Sequence, residues 1–149
     1  MTSDTDALTP SAIAYTHIDI LARTLWGEAR GEGRAGMEAV ASVILNRVAI
    51  AKQAGGYWWG TTIFQVCQKP YQFSCWNTDD PNYAKIRSLT NADLFFVIAQ
   101  RVARRAVFGT LPDSTGGATH YHVAGLNPKW AQRQTPTARI GRHVFYRLP

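Results

Sequence analysis

The segment that decides the fold is Leu25-Trp26-Gly27-Glu28-Ala29-Arg30-Gly31-Glu32-Gly33, which sets a carboxylate among apolar and glycine residues. Apolar residues upstream recur at the 3.6-residue spacing of one helix face, and the glycines then end that pattern. The spacing predicts a helix from about Thr16 to Arg30. Glu28 therefore falls in the last turn of a helix, at the edge of its apolar stripe.

This placement bears on the chemistry of Glu28. A carboxyl at the stripe edge is expected to be partly buried, and burial disfavours its ionised form. Glu32, one turn further on, adds a like charge, so both effects should raise the pKa of Glu28. A raised pKa is what a general acid needs at neutral pH. Periodicity alone also fits a solvated glutamate at a helix end, the more common setting for this residue type.

The length of 149 residues fits one domain, and a composition of 46% hydrophobic and 17% charged residues is typical of a globular protein. We expect a flexible N-terminus over residues 1–15 and a single catalytic domain over residues 16–149. No apolar run approaches the roughly 18 residues of a membrane span. Asp4 and Asp6 stand where a signal peptide would be basic, which predicts synthesis in the cytoplasm without a signal peptide.

The net charge of +6 predicts attraction to polyanions, and nucleic acid, anionic lipid and anionic cell-wall polymer all fit it. Cys67 and Cys75 do not form a CxxC pair, which argues against a thioredoxin-like site. A short-loop disulfide and two reduced, buried thiols both remain open.

Two more helices are predicted. The first runs from Ala35 to about Lys52 and is apolar on more than one side, so it should lie at the centre of the core, with Asn46 as a buried polar hook. The second begins with a capping-box pattern, Thr90 followed by Asp93, and ends at Gly109. Its arginines gather on one face, expected to be solvated and to add to the attraction for an anionic wall.

The rest of the chain changes character. Residues 53–81 are irregular and hold three of the five tryptophans, a composition that suits either a core or a groove for a sugar-like ligand. Residues 118–123 and 142–146 are rich in β-branched and aromatic residues and are bounded by turn formers, so they are predicted strands. Helices followed by a small antiparallel sheet make an α+β domain.

Five segments, taken together and in their order along the chain, identify a protein family more specifically than any one of them does. They are Ala22-Arg23-Thr24-Leu25-Trp26-Gly27-Glu28-Ala29-Arg30-Gly31-Glu32, Val40 to Val48, Gln72-Phe73-Ser74, Gly116-Gly117-Ala118-Thr119-His120-Tyr121 and Ile140-Gly141-Arg142-His143-Val144-Phe145. In these segments the sequence resembles the SleB-like family of cell wall hydrolases, which includes spore cortex-lytic enzymes and phage-type lysins. The resemblance covers most of the chain from residue 20 onward.

The resemblance implies a fold similar to lysozymes and lytic transglycosylases, with a helical core and a small antiparallel sheet in the C-terminal part. It also implies that Glu28 is the catalytic acid, which protonates the glycosidic oxygen between N-acetylmuramic acid and N-acetylglucosamine. The residues expected to hold the sugar are Gln72, Phe73, Ser74, Trp76 and Tyr121. No cofactor and no metal are expected.

The outcome of cleavage depends on a second carboxylate, because hydrolysis usually uses a pair of them. No other acidic residue lies in a sequence pattern that indicates a catalytic role as clearly as that of Glu28. Glu32 and Glu38 fit helix ends, and Asp79 and Asp80 fall in a polar loop. We therefore expect a lytic transglycosylase that forms 1,6-anhydro ends, with a muramidase that uses water as the alternative.

Spore enzymes of this type carry an export signal and often a separate peptidoglycan-binding domain, and neither is recognised here. The sequence therefore looks more like a phage or phage-derived endolysin that acts on host peptidoglycan in the periplasm after release. The expected partners are peptidoglycan glycan strands and the anionic cell envelope surface, with no nucleic acid, and a monomer is expected.

Two other functions are also considered. A zinc-dependent amidase or peptidase could use His120 and His122, which alternate on one strand, with His143 on the next strand as a third ligand. A nucleic-acid-binding module could use the basic surface, but no recognisable motif supports it and the basic residues are dispersed.

Overall fold

Helices and one small sheet make up residues 9–149, the part of the chain that the computed structural model describes. The helices are α1 (Pro10–Ala29), α2 (Gly33–Gln53), α3 (Ile63–Gln68), α4 (Tyr83–Arg87) and α5 (Leu94–Val107), and the strands are β1 (His120–Val123), β2 (Ala138–Ile140) and β3 (His143–Tyr146). Short 3-10 turns lie at Arg30–Glu32, Ser74–Trp76 and Lys129–Ala131. The predicted α+β class, with a helical core and a C-terminal antiparallel sheet, is confirmed. Within the described residues, no helix is long and apolar enough to cross a membrane.

Helix α1 begins at Pro10, earlier than the expected Thr16. The Thr9 side chain caps it by accepting a hydrogen bond from the Ala12 amide at 3.1 Å, and proline is well suited to the first helical turn. Residues 10–15, assigned above to a flexible N-terminus, therefore form part of the first helix. The rest of that expected segment, residues 1–8, lies outside the described residues.

The core is built where α1, α2 and α5 pack together. Leu21 and Leu25 of α1 are fully buried, and α2 is buried on several sides, as its apolar pattern predicts. A second cluster joins α2 to the sheet through Ala39, Val43, Ala118 and Phe145. Helix α2 therefore holds the sheet against the rest of the domain.

The start of α5 differs from the predicted capping box. Asp93 is itself the N-cap, and its carboxylate accepts hydrogen bonds from the Phe96 amide at 3.0 Å and from Trp26 Nε1 at 3.2 Å. Thr90 lies before the helix and accepts from the Ala92 amide at 3.3 Å. Asp93 is favoured as the cap because it also ties α5 to α1.

The segment expected to be irregular contains α3 and a 3-10 turn. Thr62 caps α3 by accepting from the Gln65 amide at 3.1 Å. The segment buries Trp59, Phe73 and Cys75, so part of it belongs to the core. Cys67 and Cys75 are both free and buried, which matches the reduced alternative.

Strand β3 is the centre of the sheet and pairs antiparallel with both neighbours. In the register with β1, Tyr121 lies opposite Phe145 and Val123 opposite His143. Residues directly opposite share a face and successive residues alternate. Tyr121 therefore lies on the face that joins α2, and His120 lies on the other face.

Candidate active site

The candidate site forms where the end of α1 meets strand β1. Glu28 lies in the last turn of α1 and is half-buried. Tyr121, from β1, donates a hydrogen bond from its hydroxyl to Glu28 Oε1 at 2.5 Å. The bond fixes the carboxyl against the sheet.

The surroundings of Glu28 raise its pKa. Burial is the largest cause, and the charge of Asp80 adds to it, while hydrogen bonds from Tyr121 and Cys75 lower the pKa in part. The predicted rise and its main cause are confirmed. The like charge that raises the pKa of Glu28 comes from Asp80 and not, as expected, from Glu32.

Glu32 joins the turn after α1 to the hairpin between β2 and β3. Its Oε1 accepts a hydrogen bond from the Arg142 amide at 2.6 Å and lies 3.9 Å from His143 Nδ1. Burial lowers the pKa of His143, and the Glu32 charge opposes that shift. Gly141 fits this contact closely: its φ is +57°, and an added Cβ would lie 3.0 Å from Glu32 Oε1.

A pocket of about 210 Å³ opens at Glu28. Its lining consists of Glu28, Ala29, Gly31, Glu32, Val123, Arg142 and His143. The partly buried Glu28 carboxyl is therefore accessible to a ligand from one side.

Two buried side chains support this site, and neither was predicted from the sequence to have a functional role. Cys75 lies close enough to the Glu28 carboxyl to lower its pKa, and burial raises the pKa of the Cys75 thiol, which keeps it protonated. The backbone at Gly27 approaches so closely that an added Cβ would lie 2.7 Å from Cys75 Sγ. The sequence predicts Cys75 only as a disulfide partner or a buried thiol, because its distance from Glu28 along the chain gives no sign that the two lie close together.

The second group is Arg47 of α2. Its Nε donates to the Thr119 carbonyl at 2.8 Å, and its Nη1 lies 3.4 Å from Gln72 Oε1. The guanidinium also lies over the rings of Trp59 and Phe73, 5.1 and 5.7 Å from their centroids. Arg47 therefore links Thr119, the residue before strand β1, to the loop that carries Gln72.

The residues expected to hold a sugar have different settings. Gln72 is half-buried beside Arg47, and Ser74 is exposed. Trp76 is half-buried, donates from Nε1 to Thr24 Oγ1 at 2.9 Å, and lines a separate pocket of about 400 Å³. Phe73 is only 2% exposed, so its expected direct contact with a ligand is wrong. It packs in the core beneath the loop instead.

Asn46 has the structural role predicted for it. Its Nδ2 donates to the Ala118 carbonyl at 2.9 Å and to Asp113 Oδ2 at 3.0 Å. These bonds fix the loop that leads into β1.

The histidines do not converge as a zinc site would require. His120 and His122 share one face of the sheet as predicted, but His143 lies on the opposite face. His122 stacks on Tyr146 and its Nε2 is 2.9 Å from the Tyr146 hydroxyl. Burial and the Arg47 charge lower the pKa of His120 to about 4. Within residues 9–149 no cluster of three or more histidine, cysteine or acidic residues is arranged to hold a metal ion.

Comparison with known proteins gives matches over most of the chain. A family model described as Cell Wall Hydrolase matches residues 31–146. The spore cortex-lytic enzymes of Halalkalibacterium halodurans and Bacillus cereus are 29% and 27% identical over 143 residues, which is 91% of this chain. The chain spans 36% and 46% of the length of these curated relatives.

Solved structures give the same result. The chain is similar to the catalytic domain of the germination-specific lytic transglycosylase SleB from Bacillus anthracis, with a TM-score of 0.69 and 28% identity over 93% of this chain and 100% of that one. The catalytic domain of Bacillus cereus SleB matches with a TM-score of 0.68 and 28% identity over 89% of this chain and 91% of that one. These matches confirm the resemblance and the fold inferred from the sequence.

Proposed function

The chain belongs to the Cell Wall Hydrolase family, and from this premise we propose that it cleaves peptidoglycan glycan strands as a lytic transglycosylase. The observation that carries the proposal is the Glu28 carboxyl, which has a raised pKa, is held by Tyr121 and opens into a surface pocket. The matched residues 31–146 begin after Glu28, so the assignment of this residue rests on the resemblance of the segment that contains it and on its geometry and chemistry.

In the proposed reaction Glu28 acts first as an acid. It donates its proton to the oxygen that joins C1 of N-acetylmuramic acid to N-acetylglucosamine, and the C1–O bond breaks to leave a hydroxyl on the departing sugar. Glu28, now a carboxylate, then takes the proton from the 6-hydroxyl of the muramic residue while O6 bonds to C1. The product is a 1,6-anhydro ring, no water is consumed, and Glu28 regains its proton.

The hydrogen bonds at Glu28 support both steps. Burial and the neighbouring carboxylate raise the pKa of Tyr121 well above its ordinary value, so its hydroxyl stays a donor throughout the cycle. Tyr121 and Cys75 stabilise the carboxylate formed in the first step, while burial favours the protonated acid that begins it. Together they keep Glu28 able to give and take a proton.

The positions of the other carboxylates support the anhydro product. Glu38 forms ion pairs with Arg105 at 2.7 Å and with Arg34 at 3.4 Å, and Asp79 lines the pocket beside Trp76. Glu32 is engaged with the Arg142 amide. Asp80 acts on Glu28 through its charge, and we assign it no part in positioning water.

One observation favours the muramidase alternative. Glu32 lines the same pocket as Glu28, which places a second carboxyl beside the proposed acid. Its engaged Oε1 and its contact with His143 favour a structural role over a catalytic one.

Mass spectrometry of peptidoglycan digested in oxygen-18 water tests the proposal. A lytic transglycosylase gives unlabelled 1,6-anhydromuramic ends. Labelled reducing muramic ends would replace the transglycosylase with the muramidase and leave Glu28 as the acid. Release of stem peptides with intact glycan strands would overturn the glycosidase assignment altogether.

We further propose that Gln72, Ser74, Trp76 and Tyr121 contact the sugar or support the reacting centre, while Phe73 supports their loop from the core. The protein is proposed to act as a monomer and without a cofactor.

The biological setting is also a proposal. We infer that the chain acts as a phage or phage-derived endolysin, made in the cytoplasm and released to host peptidoglycan. Expression in a bacterial host with and without a phage pore-forming protein tests this: lysis that depends on the pore supports it, and pore-independent lysis contradicts it.

A further inference from the structure

Helix α5 presents one outward face that combines large apolar side chains with arginines. Leu94, Ile98, Arg101, Arg105 and Phe108 follow one another at spacings of four and three residues, which places them along a single side of the helix and its C-cap. Leu94 is 68% exposed and Phe108 is 60% exposed. We call these five residues the α5 stripe.

A further arginine from α2 adds to the positive charge of this surface. Arg34 joins Arg101 and Arg105 around a pocket of about 330 Å³ whose floor is Ile98 and Val102. Arg104 lies beside the stripe and is exposed.

A nearby carboxylate offsets part of this charge. Glu38 pairs with Arg105 at 2.7 Å and with Arg34 at 3.4 Å. The four arginines and this one carboxylate together carry a net charge of +3.

The mixture of side chains indicates the kind of partner. A hydrated anionic polymer would bind the arginines and leave Leu94 and Phe108 in water. The interface of a bilayer with anionic lipids accepts both, because phosphates bind guanidinium groups while apolar side chains enter the boundary with the acyl chains. The stripe from Leu94 to Phe108 extends about 21 Å at 1.5 Å per residue, so it can contact many headgroups at once.

We propose that the α5 stripe docks the protein on the surface of an anionic lipid bilayer. Helix α5 lies flat on the bilayer, Leu94 and Phe108 enter the interface, and Arg101, Arg104 and Arg105 contact lipid phosphates. The docking keeps a wall-directed domain at a membrane without spanning it. This inference does not depend on which glycan product the enzyme forms.

Sedimentation of the full chain with lipid vesicles tests the docking. Vesicles of phosphatidylcholine with about a quarter phosphatidylglycerol should carry the protein down, while pure phosphatidylcholine vesicles should carry far less. Arg101→Gln with Arg104→Gln should weaken binding about 25-fold, from a roughly fivefold factor for each arginine. Leu94→Ser with Phe108→Ser should weaken it about tenfold or more.

Matched controls remove the same groups elsewhere. Lys129→Gln with Arg139→Gln deletes two exposed positive charges near the sheet, and Leu126→Ser deletes a leucine that is 63% exposed. Both controls should bind anionic vesicles within about twofold of the unmodified chain, since they lie outside the stripe. Thermal melting of every variant checks that it is folded.

Three results would overturn the proposal. The first is no preference for anionic vesicles, and the second is an equal loss of binding in the control variants. The third is binding to soluble polyphosphate that matches vesicle binding in strength and depends on the arginines but not on Leu94 and Phe108. That last result would assign the surface to an anionic polymer.

Discussion

Tyr121 and Glu28, from a C-terminal strand and the first helix, meet in a hydrogen bond of 2.5 Å. The bond joins the two parts of the α+β fold at the carboxyl proposed to perform the chemistry. The small sheet therefore supplies the proposed site with a donor as well as extending the core. Changes to this contact should affect the protonation of Glu28 before they affect the fold.

Tyr121→Phe should move the pH dependence of glycan cleavage. The hydroxyl lowers the pKa of Glu28, so its removal raises that pKa further. Activity that needs protonated Glu28 is lost as pH rises through its pKa, and the alkaline limb should therefore shift to higher pH. The rate at the optimum should fall about tenfold or more, the value of one hydrogen bond to a charged group. Initial rates of peptidoglycan clearing across pH measure both effects, and an unmoved alkaline limb contradicts the role of Tyr121.

Cys75→Ala should shift the same limb in the same direction, because the thiol also lowers the pKa of Glu28. Cys75→Ser retains a donor and should restore most of the original profile. Cys67→Ala is the matched control, since Cys67 is also buried but is not among the groups that shift the pKa of Glu28. If Cys67→Ala moved the profile as far as Cys75→Ala, the shift would reflect general loosening of the core.

Glu32→Gln should retain most activity and leave the product unchanged, because the amide oxygen can still accept from the Arg142 amide. Glu32→Ala removes that acceptor and should lower the free energy of unfolding by about 1–3 kcal/mol. Product analysis and denaturant unfolding separate the two effects. A switch in product type, or a large loss of activity by a stable Glu32→Gln variant, would make Glu32 catalytic.

Gly141→Ala should destabilise the hairpin that holds Glu32. Its φ of +57° is in the left-handed region, and the added Cβ would meet Glu32 Oε1 at 3.0 Å. Gly109→Ala is a useful control because its φ is +76° and nothing lies within 4 Å of the added Cβ. We expect Gly141→Ala to lose about 1 kcal/mol more than the control in denaturant unfolding. Equal losses would mean that backbone conformation alone sets the cost.

Local pattern predicted α2, α1 apart from its first six residues, and the partial burial of Glu28, because each depends on a periodic apolar face. It could not reveal the contacts of Glu28 with Tyr121, Cys75 and Asp80, since these residues come from segments distant in the chain. Glu32 was expected to repel Glu28 because it lies one turn away. The chain leaves the α-helical path at Arg30, and Glu32 binds the Arg142 amide instead.

Other differences arise from short elements and competing caps. Helix α3 has six residues and strand β2 has three, too few for a periodic pattern to stand out. Thr90 and Asp93 are both good capping residues, and the added bond from Trp26 to Asp93 decides between them. Phe73 was expected to contact a ligand because the resemblance includes the segment Gln72-Phe73-Ser74, but its ring is buried and lies under the Arg47 guanidinium.

The most direct test of Glu28 as the catalytic acid is the rate of peptidoglycan clearing by Glu28→Gln. Thermal melting checks that this variant is folded. The amide keeps the size of the side chain and an acceptor for the Tyr121 hydroxyl, but it cannot donate and regain a proton. We expect a folded protein whose rate of clearing falls by about a hundredfold or more. A folded Glu28→Gln variant that cleared peptidoglycan at a rate near that of the unmodified chain would contradict it.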